Sequence, residues 1–140
     1  MNSEEKLYRI LDANANRARE GVRVVEEHLR MVCDDAALTM RLKTLRHEIT
    51  DAIISMGIDD RLIKARQSDT DVGATVPTGS EEKRISLAHI VTANLRRAQE
   101  GLRVLEEYSK LLSPSASAEF KRLRFETYTI EKDIVLKDDN

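Results

Sequence analysis

The sequence predicts an all-α protein, an antiparallel four-helix bundle made of two pseudo-twofold-related helical hairpins joined by a central loop. Glycine (5), proline (2) and aromatic residues (4%), which are typical of sheets and their turns, are scarce among the 140 residues. Apolar residues recur at intervals of three and four along four segments, which is typical of amphipathic helices. The chain also contains an internal repeat, so one hairpin unit is expected to occur twice.

The repeat has an offset of eighty residues. Residues 13–28 match residues 93–108 with ten of sixteen positions identical, and Leu42–Glu48 resembles Phe120–Glu126. The repeated unit is therefore a pair of helices. We expect a single domain over residues 1–140, with its first hairpin at about 3–57, a linker and loop at about 58–80, and its second hairpin at about 81–137.

The helices follow in order from their apolar stripes and end signals. Ser3 is the predicted N-cap of the first helix, Asp34 or Asp35 that of the second, and Gly57 its end. Ser113-Pro114 ends the third long helix, because proline cannot continue it. One short extra helix is expected at Ile58 to Ala65. The four stripes are Leu7, Leu11, Asn14, Ala18, Val22, Val25, Leu29 and Val32; Leu38, Leu42, Leu45, Ile49, Ile53 and Met56; Leu87, Val91, Asn94, Ala98, Leu102, Leu105, Ser109 and Leu112; and Phe120, Leu123, Thr127, Ile130 and Ile134.

Composition excludes several classes of protein. The formal charge of −2 argues against a broad nucleic-acid surface, and no run approaches the ~20 apolar residues that span a bilayer. The lone Cys33 and the polar start of the chain favour a cytoplasmic location. Arginine outnumbers lysine by fifteen to eight, which suits either solvated helix surfaces or contacts with carboxylates and phosphates.

Two pairs of residues break the apolar stripes at matching positions. Asn14 and Asn94 each need a hydrogen-bond partner if buried. They either bond each other or nearby backbone, which would fix the helix register, or face a polar ligand. Gly21 and Gly101 lie in mid-helix, where glycine costs about 1 kcal/mol relative to alanine. They allow either a tight helix crossing or the approach of a ligand to bare backbone.

Charged residues recur beside these stripes. The spacing places each set along one flank of its helix, as in a solvated ladder of ion pairs. Because both copies keep the same residue types, an alternative is that two arginine-bearing flanks meet across an axis and form an anion site. The two sets are Arg17, Glu20, Arg23 and Glu27, and Arg97, Glu100, Arg103 and Glu107.

The extended irregular stretch from Gln67 to Ser80 lies between the hairpins. A long loop in a compact bundle is often functional. Arg66, Asp71 and Gly73 are candidates for a site there, although aspartate and glycine are also ordinary turn residues. The sequence contains neither Gly-x-x-x-x-Gly-Lys nor Gly-x-Gly-x-x-Gly, so a nucleotide would have to be held by side chains or helix ends.

The repeated motifs resemble a known family. The string Asp-Ala-Asn-Ala-Asn-Arg-Ala-Arg-Glu-Gly-Val-Arg-Val-Val-Glu-Glu at Asp12–Glu27, its second copy at 93–108 and the loop Arg66–Gly73 resemble the small helical hydroxymethylpyrimidine-phosphate kinases of thiamin biosynthesis. That family occurs alone or fused ahead of thiamin phosphate synthase. This chain departs from its usual loop at Gln67 and Ala74, where the family has aspartate and threonine.

The resemblance implies ATP-dependent phosphorylation, with Mg²⁺, of a small phosphorylated pyrimidine to its diphosphate. It also implies a functional link to thiamin phosphate synthase, and a homodimer is a further expectation. The hypothesis gives catalytic roles to Arg17, Glu20, Arg97 and Glu100, substrate contacts to Asn14, Asn94, Arg23 and Arg103, nucleotide-phosphate contacts to Arg66 and Gly73, and Mg²⁺ to Asp71. The alternatives are a noncatalytic helical module that dimerises or docks onto the synthase, and a symmetric bundle that binds another anionic molecule.

Overall fold

The computed structural model describes residues 1–75 and 83–138, and the described part is all-helical. It contains no strand and five α-helices: α1 (Ser3–Met31), α2 (Ala36–Ser55), α3 (Asp59–Ala65), α4 (Leu87–Tyr108) and α5 (Pro114–Asp138). Short 3₁₀ turns occupy Ser68–Thr70, Val72–Thr75 and Ser109–Leu111. The predicted helical class is confirmed, and so is the short extra helix. The parts of the predicted loop and second hairpin that fall on residues 76–82 lie outside the described residues.

The four long helices surround one apolar core. α1 packs most extensively against α4, α2 packs on α1, α5 packs on α4, and α2 and α5 also contact each other. The short α3 covers part of α1. Each predicted stripe contributes fully buried side chains, such as Leu11, Leu42, Leu102 and Phe120. The stripes end sooner than predicted, because Val32, Leu87 and Leu112 are exposed. None of the described helices has the length and apolar character needed to cross a membrane.

The crossing of α1 and α4 is tight and reciprocal. A Cβ atom on Gly21 would lie 2.7 Å from the backbone oxygen of Asn94, and one on Gly101 would lie 3.2 Å from that of Asn14. Because positions later in α1 face positions earlier in α4, the two helices run antiparallel. The structure therefore supports the interpretation of both glycines as crossing residues, since backbone rather than a ligand occupies the space beside them.

We expect Gly21→Ala to destabilise the protein. The new methyl group would meet a backbone oxygen that cannot move independently of its helix, and overpacking of this kind costs about 1–3 kcal/mol. The gain in helix propensity, up to about 1 kcal/mol, offsets part of that cost. Gly101→Ala is the matched control, because its closest contacts are at 3.2–3.4 Å and ask for a smaller shift. Urea unfolding of both variants checks this; a control that loses as much stability as Gly21→Ala would contradict it.

The helix ends correct two details of the sequence prediction. The N-cap of α1 is Asn2 rather than Ser3, and its side chain accepts from the backbone N–H of Glu5 at 2.8 Å. Asp35 caps α2 as predicted, because its carboxylate accepts from the backbone N–H of Leu38. This hydrogen bond and that from Lys137 lower the pKa of the Asp35 carboxyl. α4 ends at Tyr108, before Ser113-Pro114, and Pro114 is instead the first residue of α5. Proline suits that position because the first helical N–H has no partner within the helix.

Candidate functional site

The structure divides each predicted charged flank into two parts. Arg23 forms ion pairs with Glu26 at 3.2 Å and Glu27 at 2.9 Å. Its counterpart Arg103 pairs with Glu106 at 3.1 Å and with Glu107 at 3.0 Å, so the arrangement is the same in both repeats. These two arginines are engaged on the side of α1 and α4 that meets α2 and α5. Their predicted substrate contacts therefore compete with ion pairs already present.

The centre of each ion-pair cluster is a buried glutamate. Glu26 is 3% exposed and accepts from Nε of Arg46 at 3.0 Å and from its Nη2 at 3.4 Å. Glu106 is 7% exposed and accepts from Nη2 of Arg124 at 2.9 Å. None of these four residues was assigned a role from the sequence. A buried carboxylate is tolerated only when it is paired and hydrogen-bonded, so the repeated Glu and Arg positions serve the fold.

Arg17 and Arg97 lie on the opposite side of their helices. Each precedes the buried glutamate of its repeat by nine residues. At about 3.6 residues per turn, nine residues make two and a half turns, so the arginine and the glutamate point to opposite sides of the helix. The reciprocal glycine contacts also place Arg17 and Arg97 within roughly one helical turn of each other along the crossing. We call this surface, which carries Arg17, Glu20, Arg97 and Glu100, the outer α1–α4 face; Asn94 is half-buried at its edge and Asn14 is buried beneath it.

The arginines of this face differ in their partners. Nη1 of Arg17 donates to Oδ1 of Asn14 at 2.8 Å. Arg97 is exposed and has no hydrogen bond or ion pair to any residue within 1–75 and 83–138. Glu20 and Glu100 are exposed one turn further along and are likewise unpaired among the described residues. The outer α1–α4 face therefore carries two arginines and two glutamates that form no ion pair with the described residues, although their formal charges cancel.

The Nδ2 groups of both asparagines donate to the backbone of their own helix. Nδ2 of Asn14 donates to the backbone oxygen of Ile10 at 2.9 Å, and Nδ2 of Asn94 donates to that of Ile90 at 2.8 Å. The expectation that the two amides bond each other is wrong, because the register of the crossing sets them about two helical turns apart. The alternative of bonds to nearby backbone is confirmed. Oδ1 of Asn94 accepts no hydrogen bond from the described residues.

A second charged site joins α1 to the segment after α3. Nε and Nη2 of Arg66 each donate to one oxygen of Asp12, both at 2.8 Å. Asp12 is 6% exposed, and its hydrogen bonds to Arg66 raise the pKa of that guanidinium. The pair is bidentate, the strongest geometry for an arginine and a carboxylate. From the sequence, Asp12 stood only within the repeated motif and had no assigned role. The second repeat has Thr92 at the matching position, and this difference between the repeats could have indicated a special role for Asp12.

Residues around this pair line a small cavity of about 130 Å³. The backbone N–H of Gly73 donates to Oδ1 of Asp71 at 2.8 Å, which is the turn geometry expected of aspartate followed by glycine. The lining residues are Arg9, Asp12, Ala13, Asn16, Arg66, Gln67, Ser68 and Asp71.

The donor set limits which metal the site could take. Across residues 1–75 and 83–138, no group of three or more His, Cys, Asp or Glu side chains could hold a metal ion. Mg²⁺ usually keeps several waters and binds one or two carboxylates together with substrate phosphates. The predicted ligand Asp71 therefore fits Mg²⁺ that arrives with a phosphorylated ligand, and does not fit a metal held by protein side chains alone.

Comparison with known proteins gives consistent matches. A model described as the ThiD2 family matches residues 9–133. A thiamine-phosphate synthase of Thermosynechococcus vestitus is 42% identical over 94% of this chain, one of Rhodopirellula baltica is 40% identical over 97%, and one of Nostoc punctiforme is 39% identical over 94%. The chain spans only 36% of each of these relatives. No solved structure matches it significantly.

Proposed function

This chain belongs to the ThiD2 family, and we propose that it transfers a phosphoryl group from ATP to 4-amino-5-hydroxymethyl-2-methylpyrimidine phosphate, giving the diphosphate in thiamin biosynthesis. The observation that carries the proposal is the outer α1–α4 face, where Arg17 and Arg97 lie within roughly one helical turn of each other along the crossing. Arg97 has no partner among the described residues, so it is available to an anionic substrate.

The chemistry suits a site without an evident general base. A phosphate monoester has a second pKa near 6, so the acceptor is already largely ionised at pH 7. The obstacle is repulsion between two anions and the charge of the transition state, which positioned arginines and Mg²⁺ relieve. In this proposal Arg17 and Arg97 clamp the phosphates, and Glu20 and Glu100 orient the site. Asn94 contacts the pyrimidine phosphate, whereas Asn14, which is buried, holds the guanidinium of Arg17.

The segment after α3 supplies the nucleotide side of the proposal. Arg66 contacts the nucleotide phosphates through the edge that Asp12 does not use, and Asp71 binds Mg²⁺ with the oxygen that Gly73 does not use. Arg23 and Arg103 are left to their ion pairs with the buried glutamates. When bound, Mg²⁺ would neutralise the charge on the transferred phosphoryl group.

The proposal extends to the symmetry of the fold. The four long helices form the antiparallel bundle of two pseudo-twofold-related hairpins, with the axis passing between Gly21 and Gly101. The reciprocal contacts of these glycines support this arrangement, as do the matching Glu26–Arg46 and Glu106–Arg124 pairs. The axis would place the two repeats' arginines symmetrically about one substrate.

Coupled measurement of ADP release tests the function. With Mg²⁺ and ATP, the chain should release ADP in the presence of hydroxymethylpyrimidine phosphate. The free alcohol is the informative control, because a site lacking a base should phosphorylate it poorly. The kinase proposal would be overturned if hydroxymethylpyrimidine phosphate caused no ADP release with any divalent metal.

One observation favours a second candidate function. The relatives are named thiamine-phosphate synthases, and the chain matches about a third of their length. The alternative is therefore a noncatalytic module that docks onto a thiamine-phosphate synthase or pairs with a second copy of itself. It predicts no ADP release and co-elution of this chain with a separate synthase in size-exclusion chromatography.

A further inference from the structure

We propose that the small cavity between α1 and the segment after α3 binds one phosphoryl group of a nucleotide–Mg²⁺ complex, with Arg9 as a direct ligand and Asp12 as a positioning residue. The identity of the ligand as a nucleotide rests on the proposed function. The site itself rests on the side chains that surround the cavity. Neither Arg9 nor Asp12 was assigned a role from the sequence.

Two guanidinium groups border the cavity. Arg9 is half-buried and forms no ion pair with residues in the described part of the chain. Arg66 uses Nε and Nη2 on Asp12, which leaves its Nη1 for another acceptor. Arginine presents several donors in a fixed plane and suits phosphate oxygens. The cavity therefore has cationic donors on two sides.

Neutral donors complete the surroundings. Oδ1 of Asn16 accepts from Nη2 of Arg19 at 2.8 Å, so the amide is oriented with its Nδ2 hydrogens free to donate. The hydroxyl of Ser68 lines the same cavity. The volume of about 130 Å³ is well below the roughly 300–1,000 Å³ of pockets that enclose whole ligands. We infer that the cavity takes one phosphoryl group while the rest of the ligand lies outside it.

Charge balance explains why the ligand should carry a metal ion. The two arginines face two carboxylates, Asp12 and Asp71, so their formal charges cancel. A free phosphate would approach the carboxylate of Asp71 and be repelled. A Mg²⁺ complex would instead be attracted by the Asp71 oxygen that does not accept from Gly73. Binding is therefore expected to depend on Mg²⁺.

The second repeat does not reproduce this site. The positions that match Arg9, Asp12 and Asn16 at an offset of eighty are His89, Thr92 and Arg96. The buried carboxylate is absent there, and Arg66 follows α3, which belongs to the segment between the repeats. The chain should therefore bind one such phosphoryl group rather than two, despite its internal repeat.

Isothermal titration of the full chain with ADP tests the site without turnover. With Mg²⁺ we expect one ADP per chain, and Arg9→Gln should weaken binding about tenfold or more, the loss expected for one charge-assisted hydrogen bond. Arg30→Gln is the matched control, because Arg30 is exposed on the same helix, unpaired among the described residues and outside this cavity. The affinity of this variant for Mg²⁺-ADP should stay within about twofold of that of the unmodified chain. Omitting Mg²⁺ should weaken binding of ADP to the unmodified chain. Adenosine, which lacks phosphate, should not distinguish Arg9→Gln from the unmodified chain.

The role of Asp12 needs a readout that separates positioning from folding. Asp12→Asn should raise the Kd for Mg²⁺-ADP at a temperature where circular dichroism shows the variant folded, and Asp12→Glu should restore part of the affinity. Affinity for Mg²⁺-ADP that is unchanged in Arg9→Gln, or equally lost in Arg30→Gln, would overturn the proposal. Arg9-dependent binding without ADP release in the coupled assay would refute the kinase function and leave this site standing. ADP release by the unmodified chain, together with unchanged binding of Mg²⁺-ADP by Arg9→Gln, would support the kinase function and refute this site.

Discussion

Glu26→Ala is expected to lower the free energy of unfolding by about 2–4 kcal/mol. The carboxylate is almost fully buried and accepts from Arg46, whose side chain is itself only 22% exposed. Removing the carboxylate leaves that guanidinium without its main partner in a poorly solvated place. Breaking a fully buried ion pair costs up to about 5 kcal/mol of unfolding free energy. We expect a smaller loss here because Arg46 is partly exposed to water.

The adjacent glutamate is the matched control. Glu27 pairs with Arg23, but its side chain is 41% exposed, and exposed pairs contribute at most about 1 kcal/mol. Both substitutions change the same residue type in the same helix, so the change in helix propensity cancels between them. Glu106→Ala and Glu107→Ala repeat the comparison in the second half of the chain. Urea unfolding followed by circular dichroism gives all four values; equal losses for Glu26→Ala and Glu27→Ala would refute the structural role of the buried pair.

Arg97→Gln is expected to lower kcat for ADP release by about 10²–10³, somewhat less than the effect of an arginine finger in phosphoryl transfer. The substitution removes a positive charge from the outer α1–α4 face, where the proposal places the reacting phosphates. Because Arg97 is exposed and unpaired among the described residues, its loss should leave the unfolding free energy nearly unchanged.

Arg96 provides the control for this prediction. It is the neighbouring residue, is also exposed, and also lacks a hydrogen bond or ion pair to the described residues, but it projects from a different side of α4. Arg96→Gln changes the net charge by the same amount and should retain kcat within about threefold, because screened charges at a distance contribute little. Equal kcat in the two variants would remove Arg97 from the site.

Local features of the fold could be predicted because they are encoded in short stretches of sequence. The stripes of three- and four-residue spacing gave the helices, and the repeat gave the equivalence of Gly21 and Gly101. The choice of Ser3 instead of Asn2 as a cap is a one-residue error of the kind that helix boundaries allow. The burial of Glu26 could also have been found, because it lies four residues after Val22 and three before Leu29, both of which belong to the stripe.

The site depended on contacts that no local period encodes. Asp12 and Arg66 are 54 residues apart and meet only when α3 folds back on α1. Six residues separate Arg17 from Arg23, about 240° around the helix, so their different sides of α1 could have been predicted from spacing. Only the ion pair of Arg23 with Glu26 and Arg46 required the structure. The helices were therefore predictable, whereas the partners of individual charges required the tertiary fold.

The identity of the product tests the central proposal most directly. ³¹P nuclear magnetic resonance of a mixture of the chain, ATP, Mg²⁺ and hydroxymethylpyrimidine phosphate should show the monoester signal replaced by the two coupled signals of a diphosphate ester, together with ADP. A spectrum in which the monoester persists while ATP stays intact, with a folded chain, would contradict the proposal that this helical protein is a phosphotransferase.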